Sequence, residues 1–206
     1  MTRKDILMGK AFTEKERTEL LANLRKIGLQ LFAEKGIKGV SIRALTTQAG
    51  IAQGGFYSFF KDKEDFLLDL LVFRINEKLA LHLEHVEETL SDPVGYVIEM
   101  FFEEGMHLKK NKAFDNLTSS SLEFINNKKS EMFSRISKPY MEFFESMFTY
   151  WKANGYDVTA DLNGLMNLLL AAVILFSNAS LLNADYFETV YRTFCVAGVK
   201  DFLKVQ

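Results

Sequence analysis

In the stretch TEKERTELLANLRKIGLQLFAEKG, residues 13–36, the apolar residues Leu20, Leu24, Ile27, Leu31 and Phe32 recur every three or four positions with polar residues between them. That spacing predicts an amphipathic helix stopped by Gly36. Ser41 offers a side-chain cap for a second, short helix that carries Ile42, Leu45 and Ala49 and ends at Gly50. Ile51 anchors the turn. A third short helix is predicted from about Gln53, with Phe56 and Phe59 facing the same core. The pair 41–48 and 53–60, joined through Gly50, has the helix-turn-helix arrangement, in which the second helix projects its N-terminal residues outward.

Beyond residue 61 the periodicity lengthens. Phe66, Leu70, Phe73, Leu79, Leu83, Val86 and Leu90 predict one helix over 62–89, with Asp62 as its cap and Asp65 in its first turn. Pro93 opens a helix that carries Val97, Phe101, Phe102 and Met106. Further helices are expected at 114–125, 130–154, 161–182 and 185–205, with a bend at Pro139 and a stop at Gly155. The β-branched runs and turn clusters of sheet proteins are missing. The expected fold is all-α, with a three-helix domain at 1–61 and a larger helical domain at 62–206.

Composition changes this picture at three points. The 206 residues are 48% hydrophobic and 25% charged, which is ordinary globular composition and argues against disorder. Cys195 is the single cysteine, so an intramolecular disulfide, a thiolate cluster and a Cys-x-x-Cys pair are all excluded. The most apolar run, 168–176, is about half of the roughly 18 residues that a membrane span needs, and residues 1–10 lack a secretory pattern. A cytoplasmic protein with no membrane partner is expected. Charge is uneven: 12 Lys and Arg stand against 6 Asp and Glu through Lys63, and 13 against 21 beyond it. The basic segment is also the one that bears the helix-turn-helix, and together they point to nucleic acid.

The residues LFAEKG and VSIRALTTQAGIAQGGFYSFFKDKEDFLLDLL resemble the DNA-binding domain of the TetR family of bacterial transcriptional repressors. The likeness spans about residues 20–71. It is carried by Phe32, Gly36, Ser41, Ala49-Gly50-Ile51, Gly54, Phe56-Tyr57, Phe60 and Lys63-Glu64, with Phe66 at the usual leucine. The resemblance implies that Ser41, Tyr57 and Lys63 dock on phosphate, and that Arg43, Gln53, Gly55 and Ser58 reach the groove. Gly54 would allow close approach to the sugar-phosphate backbone, and Gly55 would extend it. Two residues depart from the family pattern: Ala52 stands where Ser or Thr is common, and Gly55 where Thr, Ser or Ala is frequent. Ala52 forgoes a cap worth about 1 kcal/mol. Each glycine costs about 1 kcal/mol of helix propensity relative to alanine, so this helix is weak by itself.

Read without the resemblance, Tyr57 fits a half-buried core ring, Arg43 and Lys63 fit solvated charges, and Ser58 is open between a base contact and a plain surface hydroxyl. In the second domain LMNLLLAAVILF is apolar all round, more than one internal face requires. The resemblance implies a homodimer through the last two helices. Aromatic and methionine residues crowd the middle helices and alone read as core. The resemblance implies a pocket there for a small apolar effector, with Phe102, Met106, Phe124, Phe144, Met147, Trp151 and Asn167 as candidate lining.

No catalytic residues are assigned. Glu104-x-x-His107 is one half of a di-iron motif whose second half is absent, and His82 with His85 near Glu84 reads as a solvated pair. Neither a Ser-His-Asp order nor a phosphate-binding glycine loop occurs. The expected protein is a ligand-responsive regulator, a repressor released from its operator by effector, that needs no metal or cofactor. The competing reading is a helical ligand-binding or adaptor protein whose helix-turn-helix is vestigial.

Overall fold

The computed structural model describes residues 12–110 and 129–206. The helix expected at 114–125, and Phe124 with it, lies outside the described residues. Chain contacts divide the protein into two compact units, Met1–Leu71 and Val72–Gln206.

The first unit begins with α1 (Glu14–Gly39). Its start is set by a reciprocal cap: the Thr13 hydroxyl accepts from the Glu16 amide at 3.3 Å while the Glu16 carboxylate accepts from the Thr13 amide at 2.8 Å. At Gly36 the backbone reaches φ 65°, ψ −170°, and breaks the helix at the expected stop before a last turn to Gly39. Two short helices follow, α2 (Ile42–Ala49) and α3 (Gln53–Tyr57), then α4 (Lys63–Glu84), whose first residues complete this unit. Leu24, Leu31, Val40, Leu45, Phe56 and Phe66 are buried at its centre. Arg25 on α1 makes a two-pronged ion pair with Asp69 on α4, at 2.9 and 2.8 Å, and so fixes the orientation of the two helices.

The second unit holds the rest of α4, a 3-10 helix (Val86–Ser91), α5 (Pro93–Lys110), α6 (Lys129–Ala153), α7 (Leu162–Ser177), a 3-10 turn (Ala179–Leu181) and α8 (Ala184–Phe202). α6 continues through Pro139. A short antiparallel ribbon joins β1 (Val158–Ala160) to β2 (Leu203–Val205), pairing Val158 with Val205 and Ala160 with Leu203. The ribbon explains why α8 ends before its expected limit at 205, for Leu203 turns extended and pairs with β1. α7 also stops short, at Ser177, where the Asn178 side chain bonds back to the Ile174 carbonyl at 2.8 Å.

The helix expected over 62–89 also departs from its range. It ends at Glu84, and residues 86–91 form the 3-10 segment instead. This places the fully buried Thr89 hydroxyl where it donates to the Val86 carbonyl and accepts from Trp151 Nε1, each at 2.6 Å. A buried indole N–H without an acceptor is costly, so the tighter winding satisfies what a regular helix would have to satisfy otherwise. Apolar periodicity could not report this, since Val86 and Leu90, which pack on the core, also fit the helical spacing.

One polar cluster penetrates this apolar unit. Glu104 on α5 pairs with Lys78 on α4 and lies 3.8 Å from His82 Nε2, while His82 Nδ1 meets the Tyr96 hydroxyl at 2.6 Å. His82 is therefore a half-buried network member, not the solvated surface group expected from the sequence; His85 is exposed beside Glu88. Burial pushes the Glu104 pKa up, but hydrogen bonds and charge from His82 and Lys78 outweigh it and hold the carboxyl below its ordinary value. Burial, with the Glu104 charge nearby, pushes the Tyr140 phenol upward.

Thr89→Val should leave the Trp151 N–H buried without a partner, costing about 1–3 kcal/mol and lowering the melting midpoint by a few degrees at neutral pH. A midpoint equal to wild type would show that the bond contributes nothing. For Glu104 the folded pKa is the lower one, so its stabilisation is complete above the unfolded value and fades as pH falls through the folded value. Chemical denaturation of Glu104→Gln should thus lose less stability than wild type on acidification below the ordinary value of 4.5.

Candidate nucleic-acid interface

α2 is short but well terminated. Ser41 is its cap, its Oγ accepting from the Ala44 amide at 3.1 Å, which leaves the hydroxyl proton unused by that bond. At the other end Gly50 adopts φ 69°, ψ 27°, and the Ile51 amide donates to the Thr46 carbonyl at 3.0 Å. Only glycine takes this left-handed conformation without strain, so the turn between α2 and α3 is written into Gly50. Leu45 and Thr46 face inward, and Arg43, Thr47 and Gln48 face outward. Ser41, Arg43, Ala44, Thr47 and Gln48 line a shallow open hollow of about 330 Å³. The sequence reading missed Thr47 and Gln48; their spacing of four from Arg43 and Ala44 is the signal that puts them on the same face.

α3 has no side-chain cap at Ala52, as the sequence implied. Phe56 anchors it, fully buried among Tyr57, Phe60 and Phe66 at ring separations of 5.5, 5.3 and 5.7 Å. Gln53, Gly54 and Tyr57 are exposed, and 55% of Tyr57 is open to solvent. The two glycines divide their roles. A Cβ on Gly54 would meet nothing within 4 Å, whereas one on Gly55 would press on Ile51 at 3.3 Å. Gly54 therefore keeps the outer face low, and Gly55 lets the helix settle on Ile51. The Ser58 hydroxyl donates to the Gly55 carbonyl at 2.7 Å and closes the helix.

Lys63 is the first residue of α4, just past a second reciprocal cap: the Asp65 amide donates to Asp62 at 2.7 Å and the Lys61 amide to Asp65 at 3.0 Å. The exposed Arg43, Gln53, Gly54 and Tyr57 thus share one unit with the hollow on α2. Their chemistry is a cation, an amide able to bond a base edge at two points, a phenol and a bare stretch of backbone, which suits a polyanion with readable edges. Among the described residues no group of three or more His, Cys, Asp or Glu is placed to hold a metal, and no described helix is long and apolar enough to cross a membrane.

In the second unit the candidate effector residues fall into two sets. Phe102, Phe144, Met147 and Trp151 are buried in the core: Phe102 stacks on Tyr191 at 5.8 Å, Phe144 on Phe101 at 6.2 Å, and Trp151 lies 5.3 Å from Phe148. Met106 is half-buried at their edge. Asn167 is exposed and its amide donates back to the Asn163 carbonyl at 2.9 Å, so it does not join the others.

Residues 25–70 match the family model described as bacterial regulatory proteins, tetR family. The chain is 26% identical over 88 residues to the HTH-type transcriptional regulator AcrR of Shigella flexneri, covering 43% of this chain and 41% of that one. It is 27% identical over 124 residues to the HTH-type transcriptional repressor KstR2 of Rhodococcus jostii, covering 52% and 59%. Each match spans less than two thirds of the relative's length. In fold, the chain is similar to the crystal structure of a TetR transcriptional regulator from Rhodococcus sp. RHA1, with a TM-score of 0.62 at 17% identity over 92% of this chain and 99% of that one. The helix-turn-helix of α2 and α3, with its glycine turn and buried Phe56, lies inside the stretch that matches the tetR family model.

Proposed function

We propose that this protein is a ligand-responsive transcriptional regulator that binds a near-palindromic operator as a homodimer and represses until a small apolar effector releases it. The observation that carries the reading is the exposed row of Arg43, Gln53, Gly54 and Tyr57 on a helix-turn-helix whose inner face is held by Phe56. Residues 1–61, together with Lys63 at the start of α4, are assigned to DNA binding, and the remainder of 62–206 to effector binding and dimerisation. Ser41, Tyr57 and Lys63 dock on phosphate; Arg43, Gln53 and Ser58 face the groove. Gly54 and Gly55 permit close backbone approach. Dimerisation through α7 and α8 is supported by the apolar residues left open on and between them: Ile174, Leu181, Leu182, Tyr186 and Val190 are each at least 39% exposed. Two such units are needed to enter successive major grooves about 34–36 Å apart.

Selection from random duplexes should return a near-palindrome bound by two chains. Gly54→Ala gives the sharpest check, because the added methyl meets empty space in the free protein yet would stand between backbone and DNA. It should leave the melting midpoint unchanged or raise it, by up to about 1 kcal/mol of stability, while weakening operator binding. Gln53→Ala should relax base preference, costing about 1–3 kcal/mol at one position. Lys63→Ala should weaken all duplexes alike, and Val190→Asp should yield monomers by light scattering together with lower operator affinity. If wild type binds selected and random duplexes equally, the regulator reading fails and the ligand-binding protein with a vestigial motif replaces it.

The effector site is assigned to the aromatic cluster around Phe102, Phe144, Met147 and Trp151, with Met106 at its edge and Phe124 as a further candidate. Thioether and aromatic side chains suit an apolar ligand of adaptable shape. α4 contributes residues to both units and is the element through which release would be transmitted. In a thermal-shift screen of apolar metabolites and drugs, at least one compound should stabilise the free dimer. That compound must weaken operator binding by the same factor as the operator weakens it, since the coupling is reciprocal.

A further inference from the structure

Just past α3, the chain is gripped by Arg17 of early α1 and by Phe12, two residues before that helix. Arg17 Nη2 donates to the Ser58 carbonyl at 2.9 Å, and the guanidinium lies 4.4 Å over the Phe59 ring. Phe12 approaches the same ring with centroids 6.3 Å apart. Thr13 and Glu16 cap α1 early enough for its first turns to reach this point. Neither Phe12 nor Arg17 lies within the stretch that matches the family, which begins at residue 25.

We propose that Arg17 is a positioning residue for DNA recognition: by clasping Ser58 and Phe59 it fixes the exit of α3, and with it the angle at which Gln53, Gly54 and Tyr57 meet a base pair. This rests on the DNA-binding reading above. α3 has five residues, two of them glycine, and no side chain caps its start. Its entrance is held by the Gly50 turn and its centre by Phe56. At the exit, the amides of Phe59 and Phe60 both turn back to the Phe56 carbonyl, at 3.0 and 3.2 Å. That leaves the Ser58 carbonyl at the corner between α3 and α4, and the Arg17 guanidinium takes it. Exposed contacts of this sort are individually weak, but the helix they restrain is weak also, so small restraints decide its orientation. Arginine suits the place because its planar head can stack on Phe59 and donate sideways at once. Lysine, a point charge, cannot do both.

The test uses the full-length dimer, with affinities for the selected operator and a random duplex measured across a range of salt. Arg17→Ala and Arg17→Lys should each reduce the operator-to-random affinity ratio tenfold or more, broaden base preference opposite α3, and leave random-duplex affinity and its salt slope at wild-type values. A merely structural role would lower the melting midpoint but not alter which bases are preferred. Phe59→Leu, which keeps an apolar side chain but removes the ring face, should mimic both variants and decides the matter if Arg17→Ala fails to fold. The proposal is overturned if Arg17→Lys retains full selectivity while Arg17→Ala weakens every duplex equally and flattens the salt slope by about one unit, for Arg17 is then a phosphate contact. It is also overturned if all three variants discriminate like wild type. If wild type itself shows no preference, the DNA-binding reading falls first and this inference with it.

Discussion

The burial of Phe56 is the contact on which the N-terminal unit depends. Helix nucleation fixes several residues for one hydrogen bond, so a helix of five residues cannot persist in water by itself. Two glycines and an uncapped start weaken α3 further. What holds it is a ring with no exposed surface, set edge-on to Phe66 and tilted against Phe60, so that tertiary packing replaces local propensity. The constraint propagates outward. With Phe56 held in the core, Gln53, Gly54 and Tyr57 stay exposed, and the flanking elements must be firmly ended to keep that rotation. Ser41, Gly50 and the Asp62–Asp65 cap supply those ends.

Much of this unit was legible because its signals are local. A serine before an apolar run, a glycine after it and a carboxylate at a helix start act within three or four residues, and the chain order reports them directly. Phe56 and Phe66 were readable as core from spacing alone. The division of labour between Gly54 and Gly55 was not, because it depends on where Ile51 lies in space. Arg17 was invisible for the same reason: it and Ser58 are 41 residues apart, and an arginine on a helix flank looks like any solvated charge until the partner carbonyl is placed.

The second unit shows the complementary limit. Its helices were legible from apolar period, yet three of their ends moved. In each case a polar group had to be satisfied or a strand paired: Thr89 for Trp151, Asn178 for the last turn of α7, and Leu203 for β1. Hydrophobic periodicity records which face is buried, and it is nearly blind to where a backbone changes from one hydrogen-bond pattern to another. His82 illustrates this with a side chain. Its sequence neighbours Leu81, Leu83 and Glu84 say nothing of its partners, for Tyr96 and Glu104 come from another helix.

The two units meet opposite demands with the same kind of residue. In the second, aromatic rings fill a core whose buried polar atoms are satisfied, as with Trp151 on Thr89 and Tyr191 on the Phe101 carbonyl. Such packing favours one arrangement over its neighbours. In the first, rings hold a helix that gives up intrinsic stability so that its outer face stays low at Gly54. A bulkier residue there would strengthen the helix and raise a barrier between its backbone and whatever it approaches. The stability forgone at the surface is recovered inside, at Phe56, Phe60 and Phe66. A helix built this way is oriented by its contacts more than by its own hydrogen bonds, so its reading angle is open to adjustment by side chains that never touch the partner.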